Sequence, residues 1–257
     1  MKSKFSTIFI SILLLSLKFS NQVFETVIAD SLRNYETFHK YWNYLYPWGT
    51  DHNGSARMYG STQDHSHIYL QNRQIVLKAT RVTQAEGKSK SIPHLKINYH
   101  SGAIHAKTKL IINDQYPDYE IKGEFKAPVS PGTWPAFWLT GAETWPPELD
   151  ILEVKGNNVN WFNTFKSKTE IKTCKTPLTY DWHKYRVWMT KVSSTDVDIY
   201  FSIDDKFQAK HTAPFVGKHF HIIMNLQMEG GAPGLPPTKD TYFYGRNIYI
   251  GRTNTKK

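Results

Sequence analysis

Glu148-Leu149-Asp150-Ile151-Leu152-Glu153 sets three carboxylates into an apolar run. An ionised carboxylate buried without a partner is costly, so acids held in such a run usually serve chemistry. Two carboxyls facing one cleft supply a nucleophile and a proton donor, the pair needed to break an acetal bond between sugars. The spacing alone is weak. Acids make up 22 of 257 residues, and three at fixed offsets arise by accident in roughly 0.16 of chains this long. The surrounding residues decide whether the pattern has meaning.

A strand would point Glu148 and Asp150 to one face and, by strict alternation, Glu153 to the other. One extra residue at Ile151-Leu152, a β-bulge, returns Glu153 to the first face. The outer acids then stand roughly 13 Å apart along the backbone. On a concave sheet their side chains lean together toward the separation of roughly 5–5.5 Å that suits a configuration-retaining mechanism. Glu148 would attack the anomeric carbon, and Glu153 would protonate the leaving oxygen and later deprotonate water. Asp150, between them, would hydrogen-bond Glu148 and set the acidity of both.

The elements that must position these acids read as short strands. Gln74–Ala79, Ala103–Lys107, Tyr119–Phe125, Leu149–Val154, Lys184–Thr190, Val197–Ile203, Phe220–Leu226 and Asn247–Gly251 are apolar or alternating runs bounded by turn residues. Asp204-Asp205 reads as a tight hairpin turn. Beyond the first residues, only Ser31 to Trp42 has any helical periodicity. Many strands and few helices predict an all-β sandwich. Neither a repeat nor a long linker divides the chain, and Gly230–Pro237 reads as a structured loop.

Met1-Lys-Ser-Lys4 followed by the apolar stretch Phe5 to Leu17 matches a secretory signal peptide, with cleavage after Ser20 or Ala29. The stretch is too short to span a membrane, and no later run matches it. The division is therefore a leader over residues 1–29 and one domain over 30–257, secreted to the extracellular space or periplasm. Cys174 is the only cysteine, so no internal disulfide is expected. The net charge of +10 favours anionic partners. No nucleic-acid-binding motif accompanies it. A monomer acting on a polysaccharide is expected.

Upstream of the acids runs Gly132-Thr-Trp-Pro-Ala-Phe-Trp138-Leu-Thr-Gly141, then Trp145-Pro-Pro147. This block, with Glu-x-Asp-x-x-Glu behind it, resembles glycoside hydrolase family 16, the laminarinase- and carrageenase-like enzymes. Further matches follow in order: Tyr99-His-Ser-Gly-Ala-Ile104, Tyr119 to Pro128, Asp181-Trp-His183-Lys-Tyr185, and Ile222 to Gly231 with Asn225-Leu226 and Gly230-Gly231. The resemblance implies a β-jelly-roll of two antiparallel sheets, concanavalin A-like, with an open concave cleft. It also implies a retaining endo-glycosidase whose catalytic residues are Glu148, Asp150 and Glu153. The bulged spacing points to the laminarinase-like branch.

Trp134 and Trp138, four residues apart, can share a strand face, and by resemblance at least one of them floors the subsite beside the cleaved bond. Trp145 would line the rim, and Trp161 is a further platform candidate. By resemblance, His183 contacts the acids or sugar, Asn225 lies near the cleft, and Asn53 sits in a cleft loop. Asn53-Gly-Ser55 is also a glycosylation acceptor, expected to be unused because a glycan there would obstruct the cleft. His65-x-His67 and His219-x-His221 lack a third ligand, so no metal site is assigned. No cofactor is required. The family's structural Ca²⁺ is allowed for, without a legible ligand set.

Four departures surround the substrate positions. Pro147 stands where relatives often have Gly, and Ser55 where they often have Glu. Asn157 to Phe165 lacks the His of laminarin-cleaving members, and Trp188 falls one position early. The leading expectation is a β-1,3- or mixed-linkage glucan. A sulfated or otherwise anionic galactan, transglycosylation, and a non-catalytic lectin are the alternatives.

Overall fold

Alternation builds the strands: His183–Lys191 buries Tyr185, Val187 and Met189 and turns Lys184, Arg186 and Trp188 outward. The computed structural model describes residues 23–256. In chain order its elements are β1 (Val23–Ile28), α1 (Tyr35–Tyr41), β2 (Trp42–Tyr44), β3 (Ala56–Met58), β4 (Ile68–Gln71), β5 (Gln74–Arg81), β6 (Tyr99–Ser101), β7 (Ala103–Ala106) and β8 (Leu110–Ile111). There follow β9 (Asp118–Lys126), β10 (Thr133–Gly141), β11 (Glu148–Glu153), β12 (Val159–Phe165) and β13 (Ile171–Pro177). The last are β14 (His183–Lys191), β15 (Val197–Ile203), β16 (Lys206–Ala213), β17 (His219–Met228) and β18 (Thr241–Asn254).

The outer sheet runs β16-β15-β14-β9-β18-β5-β6-β3, with β1 on β18 and β4 on β5. The inner sheet runs β13-β12-β11-β10-β17-β7-β2, with β8 on β17. Ladders are antiparallel except β3 with β6. The sheets share one apolar core, in which Phe125 meets Phe137 at 4.8 Å and Phe162 meets Phe201 at 4.8 Å between ring centres. This is the β-jelly-roll sandwich expected from the sequence. The two central strands of the inner sheet, β10 and β17, are buried nearly throughout, because neighbours flank both and the core covers one face.

Two expectations shift. The folded domain takes in Val23–Ile28, which the sequence division assigned to the leader. These residues pair with Ile250–Asn254, Arg252 bonds Glu25, and Phe24 stacks on Trp188 at 5.9 Å. A cut after Ala29 would remove this strand; residues 1–22, with the Ser20 alternative, lie outside the described residues. The helix is shorter than Ser31 to Trp42. Asn34 and Thr37 form a reciprocal cap at its start, and Trp42 turns extended into β2. The Asp204-Asp205 turn has φ of 51° and 62°, the mirror-image hairpin geometry that matches strand twist.

Candidate active site

The ladder between β10 and β11 fixes the acids. Thr140 faces Glu148, Trp138 faces Asp150 and Ala136 faces Glu153, with a register shift between Phe137 and Trp138. The acids thus oppose alternate residues of β10 and share its concave face. Ile151 is the extra residue, the bulge that the spacing requires. A bulge leaves ladder groups unpaired, and the Asn160 side chain satisfies them. Its Oδ1 accepts from the Glu153 backbone N–H at 3.1 Å, and its Nδ2 donates to the Ile151 carbonyl at 3.4 Å.

Donors converge on the carboxyls. The Trp145 indole donates to Glu148 Oε2 at 2.8 Å, and the Trp134 indole to Glu153 Oε1 at 2.8 Å. Asn163 Nδ2 bridges Asp150 Oδ2 at 2.9 Å and Glu153 Oε2 at 2.7 Å. Lys155 Nζ lies 3.2 Å from Glu153 Oε1. Thr173 bonds the Asn163 oxygen at 2.8 Å, which fixes the direction of that amide.

The acids lie in a cavity of about 850 Å³, walled by Trp134, Trp138, Asn225 and Gln227 on the strands and by Trp48, His52, Asn53 and Ile92 on loops. Trp138 donates to Asn225 Oδ1 at 2.7 Å and stacks on His52 at 5.6 Å. Arg57 grips Asp51 with bonds of 2.9 and 3.1 Å, and the Lys90 amide adds a third at 2.8 Å. Burial opposes ionisation of Asp51, yet these donors hold its carboxyl below its ordinary value. The network ties the 48–53 loop to the 88–92 loop. Gly230 at φ +64° and Gly231 let the next loop lie on the Trp134 ring, where a Cβ on Gly231 would come within 2.8 Å. Burial brings His52 down to about 4, so it is a neutral ring in the wall.

Burial pushes Glu148 up to about 7, opposed by the Trp145 donor and reinforced by repulsion from Glu153. Asp150 is raised well above its ordinary value, first by burial and then by Glu153 and Glu148. In each case the fold retains a proton that the unfolded chain releases at lower pH. The stability this confers is complete below the ordinary carboxylate range and disappears as pH rises through the folded value, about 7 for Glu148. Glu148→Gln should therefore melt above wild type at about pH 8, by on the order of 3 °C, with a smaller difference at about pH 5. Thermal melts at both pH values read this. A variant that loses stability at the higher pH would refute it.

The structure brings together Glu148, Asp150, Glu153, Trp134, Trp138, Trp145, Asn225 and Asn53. Trp161 is on the concave face of β12, two residues from Asn163, but outside the cavity wall. His183 requires a correction. It opens β14 in the outer sheet, where its Nδ1 pairs with Asp204 Oδ2 at 2.7 Å and its Nε2 meets Thr179 Oγ1 at 3.0 Å. It braces a hairpin and does not reach the cleft. Sequence reading missed Asn160, Asn163, Lys155, Trp48 and His52. Alternation along β12 from Trp161 would have placed Asn163 on the cleft face; the loop residues carry no such signal. Among the described residues no cluster of three or more His, Cys, Asp or Glu is suited to a metal. None of their helices is long and apolar enough to cross a membrane.

Known proteins match this arrangement. The family described as Glycosyl hydrolases family 16 matches residues 55–234. A galactan endo-beta-1,3-galactanase of Flammulina velutipes is 41% identical over 227 residues, covering 86% of this chain and 88% of its own. An endo-1,3-1,4-beta-glycanase of Rhizobium meliloti (strain 1021) is 34% identical over 133 residues, 48% of this chain and 26% of its own. Among solved structures, an endo-1,3-beta-glucanase from Streptomyces sioyaensis superposes with a TM-score of 0.66 at 21% identity, covering 89% of this chain and 96% of its own. At that identity the likeness concerns the fold alone.

Proposed function

The chain belongs to glycosyl hydrolase family 16 and acts on O-glycosyl bonds; from this premise we propose that it is a secreted, retaining endo-β-1,3-galactanase. The observation that carries the proposal is the cluster of Glu148, Asp150 and Glu153 on one concave face, inside a chain that matches a galactanase over most of both lengths. The β-1,3 linkage of the leading sequence expectation is retained. Galactose replaces glucose because the galactanase match extends over 227 residues, whereas the mixed-linkage glycanase match spans 133. The basic start and apolar stretch from Met1 to Leu17, read as a secretory leader, support secretion and lie outside the described residues.

In the first step a Glu148 oxygen attacks C1 of the sugar. The C1–O bond to the departing chain breaks, and Glu153 donates its proton to that oxygen. In the second, water attacks C1, Glu153 takes a water proton and the Glu148 ester bond breaks. One water is consumed and the configuration at C1 is kept. Burial, then Glu153 and Glu148, hold Asp150 well above its ordinary value, which disfavours a further charge beside the nucleophile Glu148. Trp134, half-buried, offers a flat face for a sugar ring, whereas Trp138 is buried against His52 and backs the wall. The two carboxyls need no cofactor for this chemistry.

Purified protein should release short oligosaccharides from debranched β-1,3-galactan, with less product from β-1,3-glucan and mixed-linkage glucan. Reducing ends and product sizes read this. Binding without cleavage of any of these glycans would favour the lectin. Products longer than the starting oligosaccharide would favour transfer to sugar. A preference for glucan would overturn the choice of galactose.

A further inference from the structure

Beyond the cavity wall the concave face continues across β12 and β13. Their ladder sets Trp161 opposite Lys175 and Asn163 opposite Thr173. Since Asn163 meets the acids, Trp161 and Lys175 share the cleft side. A row of contacts leads outward from the reaction centre. Lys155 Nζ, 3.2 Å from Glu153 Oε1, is 5.6 Å from the Trp134 ring centre and 5.2 Å from that of Trp161. Lys175 Nζ lies 3.8 Å from the same Trp161 centre.

This ring differs from the other aromatics of the cleft. The indole N–H groups of Trp48, Trp134, Trp138 and Trp145 all donate to protein oxygens. Trp161 Nε1 is buried and has no partner. Lys175 also differs from those cations of the outer sheet that are held in ion pairs. There Lys78 pairs with Asp240, Arg186 with Glu120, Lys210 with Asp198 and Arg246 with Glu124. Lys175 is exposed, and among the described residues no carboxylate lies within ion-pair distance of it. Part of the chain's excess positive charge thus stands uncompensated at one end of the cleft.

A neutral sugar needs only a flat ring to stack on. A ring attended by two ammonium groups, one of them free, fits a sugar that also carries a carboxylate. We propose that Trp161, Lys155 and Lys175 form a subsite for a uronic acid residue borne by the glycan. The inference rests on the galactanase reading for its backbone and extends it to acidic, branched galactans. Lys175 swings off the Trp161 face, which it covers at 3.8 Å, to meet the carboxylate, and the uronate ring takes its place on the indole, with Lys155 shared between this subsite and Glu153.

The test compares a β-1,3-galactan carrying glucuronosyl side chains with the same polymer after carboxyl reduction, which removes the charge and keeps the shape. At low salt, kcat/KM for the acidic polymer should exceed that for the reduced one by about fivefold, the strength of a good exposed ion pair. In Lys175→Gln the ratio should fall to near unity, and added salt should lower the wild-type ratio. A wild-type ratio of one, or a ratio unchanged in Lys175→Gln, overturns the subsite. If neither polymer is cut, the galactan reading fails by itself, and the subsite is judged by affinity electrophoresis of Glu148→Ser on both polymers. Retention by the acidic polymer alone, lost on adding Lys175→Gln, supports it; equal retention by the two polymers overturns it.

Discussion

Glu148→Ser is expected to lose about four orders of magnitude in kcat on β-1,3-galactan, with polymer binding preserved. The serine hydroxyl is too short to reach C1 and has no base positioned to activate it, so the covalent step has no nucleophile. The rest of the cleft stays in place, because among the described residues only the Trp145 side chain bonds the Glu148 carboxyl, and it sits on the exposed rim. Added azide supplies a second, sharper readout. Entering from the face the carboxylate vacates, azide should displace a good aryl leaving group and give a glycosyl azide of inverted configuration. Near wild-type turnover in the variant, or an azide product of retained configuration, would remove Glu148 from the nucleophile's role.

Glu153→Gln should reduce cleavage of the polysaccharide by about a thousandfold, the size of a general acid contribution. The loss should depend on the leaving group. A sugar oxygen must be protonated as it departs, whereas an aryl oxide of low basicity leaves without help. With an aryl β-galactoside the first step should therefore stay fast. The second step, which needs Glu153 as base, should stall and leave a sugar ester on Glu148 that intact-protein mass spectrometry can weigh. Equal losses on both substrates, without accumulation of the ester, would place the proton donor elsewhere. Glutamine keeps the shape and one acceptor oxygen for Trp134 and Lys155 but loses the acceptor for Asn163, so a thermal melt beside the kinetics separates folding from chemistry.

Much of the site could be read before the fold. The offsets of Glu148, Asp150 and Glu153 demanded a bulge, and the shift at Phe137/Trp138 supplies it at Ile151. Trp134 and Trp138 share a strand face, as their spacing requires, because side-chain period along a strand is fixed by the backbone. His183 shows the limit of such reading. A motif places a residue beside its chain neighbours, but only sheet order says which layer that strand joins, and β14 belongs to the outer sheet. Asn160 is legible only afterwards, since the backbone groups it satisfies are orphaned by the bulge itself.

By itself the sequence determined the strand class, the carboxylate chemistry and the shared face of the acids, all of which follow from residue type and local period. The tertiary structure decided which side chains meet those acids. Asn163, Trp145 and Lys155 come from other strands and turns, and the 48–53 loop reaches the cleft through the Asp51–Arg57 pair. It also decided the protonation of the site. Burial and mutual repulsion arise only when the chain closes around the three carboxyls, and they are what push Glu148 up to about 7 and Asp150 well above its ordinary value.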